Sequence, residues 1–172
     1  AIDLMVDIVK QKESFTERTL KEIHYLILKS IDKMNAGAYR NVPVFISGSA
    51  HLPPQPYLLA RKMEEVFEFY RENKNKMHPV ILAAEMHERI VSVHPFIDGN
   101  GRTSRLSMNL VLLMNGFTIA NIQGDMDSRM AYYNALESVR TENSPSKLYK
   151  LIAYAVKESL ELHIKALKPA EK

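Results

Sequence analysis

An apolar, helix-like run, Val80-Ile81-Leu82-Ala83-Ala84-Glu85-Met86-His87-Glu88-Arg89-Ile90-Val91, is broken at His94-Pro95. A second amphipathic run resumes after Gly99-Asn100-Gly101, through Leu106, Met108, Leu110, Val111, Leu113 and Met114. A chain with this pattern has to fold as two helices joined by a short loop. Proline cannot continue a helix and biases the residue before it toward extended backbone, so His94 is expected to be extended in the loop, just past a helix end. Phe96, apolar in a polar stretch, reads as an anchor that plugs the loop into the core. The Gly-Asn-Gly turn then falls at a helix N-terminus.

That junction concentrates chemistry. A helix start leaves backbone N–H groups unpaired and carries partial positive charge. Glycines let the backbone approach an anion closely, which makes a phosphate site. Arg102 and Arg105 project from one face of the first turns and match terminal phosphates. Asp98, just before the turn, is placed to hold Mg²⁺ against phosphate oxygens. His94, with an ordinary pKa of about 6.5, can take a proton from an incoming hydroxyl. Taken singly, each residue has a plainer reading: a packed or surface histidine, a simple turn, a solvated helix face. Their contiguity and order make the joint reading stronger than any one of them.

The run His94-Pro95-Phe96-Ile97-Asp98-Gly99-Asn100-Gly101-Arg102-Thr103-Ser104-Arg105 resembles, position for position, the HPFx(D/E)GNGRxxR signature of the Fic family. The resemblance covers residues 17–160. Gly37-Ala38-Tyr39-Arg40 with the segment Val44-Phe45-Ile46-Ser47-Gly48-Ser49 is similar to the family's β-hairpin flap, which lies over the active site and lines up the target. Tyr132-Tyr133-Asn134-Ala135-Leu136 is similar to the helix that closes the adenine pocket. The resemblance implies an all-α Fic fold, a compact bundle of about seven or eight helices with a short β-hairpin flap. It implies a protein adenylyltransferase that moves AMP from ATP, with Mg²⁺, to a Ser, Thr or Tyr hydroxyl of a target protein and releases pyrophosphate. In that scheme His94 is the base, Asp98 holds Mg²⁺, and Gly99, Asn100 and Gly101 form the anion hole. Arg102 and Arg105 bind the β- and γ-phosphates, Tyr132 and Tyr133 line the nucleotide pocket, and Val44 to Ser49 dock the target. Gly101 replaces the lysine of Doc-type members, which transfer phosphate, and so favours AMP transfer. A homodimer is also implied.

Regulation is where the chain departs from the family. Many members carry an inhibitory (S/T)xxxE(G/N) helix whose Glu pairs with the last motif arginine, here Arg105. Ser138-Val139-Arg140-Thr141-Glu142-Asn143 fits that pattern, yet it stands where neither known arrangement places it, and it is read as coincidence. The expected relatives carry the inhibitory helix N-terminal to the core, upstream of this chain. Removal of AMP from a modified protein, and a catalytically silent module that adds a strand to a partner, are the alternatives. The first lacks a convincing Glu to position a hydrolytic water, and the second leaves the intact set of His94, Asp98, Asn100, Arg102 and Arg105 without a use.

Composition narrows the remaining classes. At 172 residues the chain makes one domain, residues 1–172, large enough for a real core. With no cysteine, disulfide frameworks and thiolate zinc sites are excluded. Lys+Arg 23 against Asp+Glu 20, a net +3, is too mild to argue for nucleic acid, and the lysines up to Lys172 read as solvated loop and tail charges. No apolar run approaches membrane-spanning length and no signal peptide is visible, which favours a cytoplasmic protein without a membrane partner. His87-Glu88 begins like a zinc-protease motif, but Val91 stands where the second histidine belongs.

Periodicity predicts the rest. Ile2, Leu4, Met5, Ile8 and Val9 fit a short helix. Ser14 to Glu17 has capping-box spacing, and Leu20, Ile23, His24, Ile27 and Ile31 continue a helix that Gly37 ends. Val42 to His51 is the only strand-like piece. Helices are also expected around Leu59 to Tyr70, over 125–139, and from Ser144-Pro145 through Leu160. His51 reads as a turn residue outside the catalytic set.

Overall fold

The computed structural model describes residues 1–122 and 125–167, so the last lysines, Lys168 and Lys172, lie outside the described residues. Among the described residues seven α-helices follow one another: α1 (Ile2–Lys10), α2 (Glu17–Leu28), α3 (Leu59–Asn73), α4 (Pro79–Val93), α5 (Asn100–Met114), α6 (Met126–Thr141) and α7 (Ser146–Leu167). A 3₁₀ turn, Pro56–Leu58, leads into α3. The all-α architecture matches the expectation from sequence.

The antiparallel pair α4–α5 is the centre. α4 buries Val80, Leu82, Ala83, Ala84, Met86, Ile90 and Val91; α5 buries Met108, Leu110, Val111 and Leu112. Helices apolar on so much of their circumference need neighbours on several sides. They have them: α3 and α7 pack on α4, α1 and α2 pack on α5, and α6 lies against α7. Among the described residues no helix is long and apolar enough to cross a membrane.

Caps fix the helix starts. Thr16, not Ser14, is the N-cap of α2. Its Oγ1 accepts from Thr19 N, and the Thr19 side chain accepts from Thr16 N in return. His78 caps α4, with Pro79 in the first turn, and Asp125 caps α6 by accepting from Ser128 N at 2.9 Å. α2 stops at Leu28, well short of Gly37. Gly37 instead has φ +76 in the following loop, where an added Cβ would lie 3.2 Å from Lys21 O.

The expected β-hairpin over Val44 to Ser49 does not form: among the described residues there is no strand. The segment is an extended loop with a turn at Ser47-Gly48, closed by Ser49 N donating to Ile46 O at 3.2 Å. Pro43, Pro53 and Pro54 have no N–H to give a ladder. The His51 N–H goes to Ser49 Oγ instead of across the loop. Arg40 takes the ladder's place: its guanidinium donates to Val42 O at 2.9 Å and to Pro54 O at 2.6 Å, clamping both arms.

Candidate active site

The α4–α5 junction is built as the sequence predicts in outline, with one local reversal. His94 is the C-cap of α4 and is left-handed, φ 51 and ψ 56, not extended. Proline's steric bias is overruled by the bonds around it. His94 N donates to Ile90 O at 3.1 Å, closing the helix end. His94 O accepts from Arg40 Nε at 2.8 Å, and Pro95 O accepts from Arg40 N at 2.9 Å. Arg40, only 3% exposed, therefore holds the loop from both its backbone and its side chain. Sequence reasoning placed Arg40 beside the flap without a role; a lone arginine among loop residues gives no local signal of burial.

His94 Nδ1–H donates to Val91 O at 3.2 Å. In the neutral ring this leaves the lone pair on Nε2. Burial lowers the pKa of the imidazole, with the positive charges of Arg40, His51 and Arg140 acting in the same direction and the Val91 hydrogen bond opposing them. The side chain is thus held as an unprotonated base.

Phe96 anchors the loop as expected, fully buried and stacked on His24 with ring centroids 3.6 Å apart. His24 Nδ1 accepts from Gly37 N at 2.9 Å, so Nε2–H donates to Asp98 O at 3.0 Å. Burial lowers its pKa, which keeps this tautomer neutral. Asn100 braces the same loop: Oδ1 accepts from Phe96 N at 2.9 Å and Nδ2 donates to Phe96 O at 2.8 Å. Its side chain is therefore a structural clasp, and what the residue presents to an anion is chiefly its place at the helix start. Gly99, the N-cap of α5, has φ +76, and a Cβ there would meet the His24 ring at 3.4 Å.

A cavity of about 740 Å³ opens over this junction. Its floor is His94 and Ile97 to Arg102 with Arg105; one wall is Ile46 to Ser49, and the other is α6 with Tyr132, Tyr133, Leu136, Glu137 and Arg140. All the predicted phosphate-site residues meet here. Of the predicted docking segment, Ile46, Ser47, Gly48 and Ser49 line the cavity, whereas Val44 is half-buried outside it and Phe45 is 82% exposed. Arg102 Nη2 pairs with Asp98 Oδ2 at 3.1 Å on the exposed rim. Tyr132 is buried and Tyr133 half exposed. Another cavity, about 640 Å³ between the start of α2 and α3, is edged by solvent-facing ion pairs and has no glycine turn.

Two further groups escaped sequence reasoning. His51 Nε2 donates to Ser92 O at 2.8 Å, tying the loop to the end of α4. Arg140 donates to Ser92 Oγ at 2.8 Å and to Ser49 Oγ at 3.4 Å, while Ser49 Oγ donates to Glu137 Oε2 at 3.0 Å, so α6 also holds the loop. Glu142 pairs with Lys147 at 2.6 Å and is not part of the cavity lining, in keeping with reading its motif as coincidence.

One carboxylate, Asp98, faces the cavity from the phosphate end, and among the described residues no cluster of three or more metal-binding side chains occurs. That fits a Mg²⁺ carried on substrate phosphates, which needs one or two carboxylates and keeps several waters. It does not fit a metal held by the protein alone.

The family model described as Fic/DOC matches residues 14–112. The chain is 36% identical over 156 residues to a protein of Drosophila grimshawi named protein adenylyltransferase Fic, covering 90% of this chain and 31% of that protein. A protein of the same name from Drosophila ananassae is 35% identical over 155 residues, covering 90% of this chain and 30% of its own length. The chain thus spans about a third of the length of these relatives. Among solved structures, a variant of Fic-1 from C. elegans superposes with TM-score 0.79 at 26% identity, covering 95% of this chain and 48% of that one. BepC from Bartonella tribocorum, solved with bound AMPPNP, shares the fold at TM-score 0.69 and 16% identity, covering 88% of this chain and 80% of that one.

Proposed function

The chain belongs to the Fic/DOC family, and on that premise we propose that it transfers AMP from Mg-ATP to a Ser, Thr or Tyr hydroxyl of a protein target. The observation that carries this reading is the orientation of His94. Its Nδ1–H is bound to Val91 O, and the ring borders a cavity floored by the N-terminus of α5 and its two arginines.

His94 Nε2 takes the hydroxyl proton as the target oxygen bonds to the α-phosphorus. The bond from that phosphorus to the oxygen bridging toward the β-phosphate breaks in line, and pyrophosphate leaves with the electron pair. The first N–H groups of α5, with the helix dipole, receive the phosphate oxygens. Arg102 and Arg105 balance the charge that builds on the leaving group. Asp98 is the ligand for the Mg²⁺ that accompanies ATP and neutralises phosphate charge. Gly101 supports AMP transfer over phosphate transfer: a Cβ there would stand 3.5 Å from Arg105 Nη1, so a longer side chain would enter the space beside the arginine. The loop from Ile46 to Ser49 would present the target segment to His94.

The test is the intact mass of the chain and of candidate proteins after incubation with Mg-ATP, with His94→Ala in parallel. An AMP-sized addition that requires His94 is the expected result. A phosphate-sized addition would refute the transfer chemistry, and an AMP-sized addition retained by His94→Ala would refute the base.

A further inference from the structure

Asp98 and Arg102 are each assigned a part of Mg-ATP, yet in the structure they hold each other. Arg102 Nη2 donates to Asp98 Oδ2 at 3.1 Å, an ion pair across the first turn of α5. Both residues line the cavity. Arg105, three residues on, has no ion-pair partner among the described residues.

The helix start explains the pairing. Gly99 is the N-cap of α5, so Arg102 is the third residue of the helix. Helix side chains lean toward the N-terminus, which brings the guanidinium back over the first N–H groups. That end of a helix carries partial positive charge, so a cation there is disfavoured unless an anion accompanies it. The Asp98 carboxylate is that anion. It takes the place on Arg102 that a phosphate oxygen would fill.

Little resists an exchange of partners. The side chains of Arg102 and Asp98 are 44% and 67% exposed, so each can turn without repacking the core. The backbone beneath them is held: Asp98 O accepts from His24 Nε2 at 3.0 Å, and Gly99 sits at φ +76 as the cap. Only side-chain torsions have to change.

The two forms of the nucleotide differ at this pair. Metal-free ATP offers phosphates alone. To reach Arg102 they must displace Asp98, which leaves a free carboxylate facing charge of its own sign. Mg-ATP offers a cation to Asp98 and an anion to Arg102, so both halves of the broken pair find new partners.

We propose that the Asp98–Arg102 ion pair is a partner-exchange element that selects metal-complexed nucleotide, admitting a phosphate to Arg102 when a divalent cation takes Asp98. Asp98 thereby gains a second duty, shielding Arg102 from metal-free phosphates. The inference rests on the reading of this cavity as an ATP site.

The test is calorimetric binding of Mg-ATP, and of ATP in EDTA, to the wild type, Asp98→Asn, Arg102→Ala and the double variant. The wild type should prefer Mg-ATP. Asp98→Asn should bind metal-free ATP tighter by about threefold or more, the size an exposed ion pair allows, and Mg-ATP more weakly, so that the preference collapses. The gain should need Arg102: adding Asp98→Asn to Arg102→Ala should leave metal-free ATP binding nearly unchanged. Wild-type affinity for metal-free ATP in Asp98→Asn would overturn the inference, because the pair would then not compete with phosphate. An equal gain in the Arg102→Ala background would overturn it in favour of plain repulsion by Asp98. A wild type without preference for Mg-ATP would overturn the selection. All three leave the ATP site standing, whereas a wild type that binds neither form would overturn that site and this inference with it.

Discussion

Arg140 sits where three parts of the site meet. It reaches Ser92, two residues before the proposed base His94, and Ser49 in the proposed docking loop, and its charge is one of those that lower the His94 pKa after burial itself. Neutralising it should let that pKa rise. In Arg140→Met the acid limb of kcat/KM for AMP transfer is expected to move to higher pH, since more alkaline solution is needed to free the imidazole. A pH–rate profile of the two proteins side by side checks this, and an unmoved limb would remove Arg140 from the electrostatics of the base. No local pattern in the sequence announces such a residue. Arg140 reads as an ordinary polar position on an amphipathic helix, and only the tertiary placement of α6 brings it to Ser92.

Between elements, the decisive connection is that of Arg40 with the turn into α5. Its guanidinium serves carbonyls of Val42, Pro54 and His94, three acceptors from two loops. Arg40→Ala would leave these partly buried carbonyls without that donor, a loss expected to cost about 2–4 kcal/mol of folding stability. Arg40→Lys should recover little, since an ammonium cannot reproduce the fork. Chemical denaturation of both variants measures this, and a cost below 1 kcal/mol would show that water takes over the acceptors. The helix–loop–helix core is legible because Pro95 cannot continue α4, Gly99 readily takes the positive φ of the turn into α5, and Phe96 is apolar and turns inward. The hairpin was misread for the opposite reason. Alternating Val42, Val44 and Ile46 look like a strand, but pairing depends on N–H groups across the loop that Pro53 and Pro54 lack. The left-handed His94 also depends on a distant partner, Arg40, and Gly37 does not stop α2, which ends on local bonding near Leu28.

Across the whole molecule, three histidines, the buried His24 and His87 and the half-buried His94, are all held below their ordinary pKa, chiefly by desolvation. The unfolded chain therefore binds more protons than the folded one as pH falls below about 6.5, and folding stability must decline with it. For His87 the window runs from the ordinary value of 6.5 down to about 3. Within it, each such group contributes a slope of up to about 1.4 kcal/mol per pH unit. His87→Gln cannot titrate and should show a shallower fall in stability between those limits, read from urea denaturation at successive pH values. An unchanged slope would mean that the histidine keeps its proton in the fold. Their charge state is not legible in the sequence: His24 and His87 fall on apolar helical faces, where periodicity marks a core position and nothing more.

The clamp at Arg40 bears on accuracy as well as strength. One planar group, itself out of solvent, fastens both arms of the loop and the carbonyl of the base. A peptide laid along that loop, as proposed, and the imidazole of His94 would then be located from a common datum. Breathing of the surrounding bundle is then expected to displace the two together and leave the gap between them nearly constant.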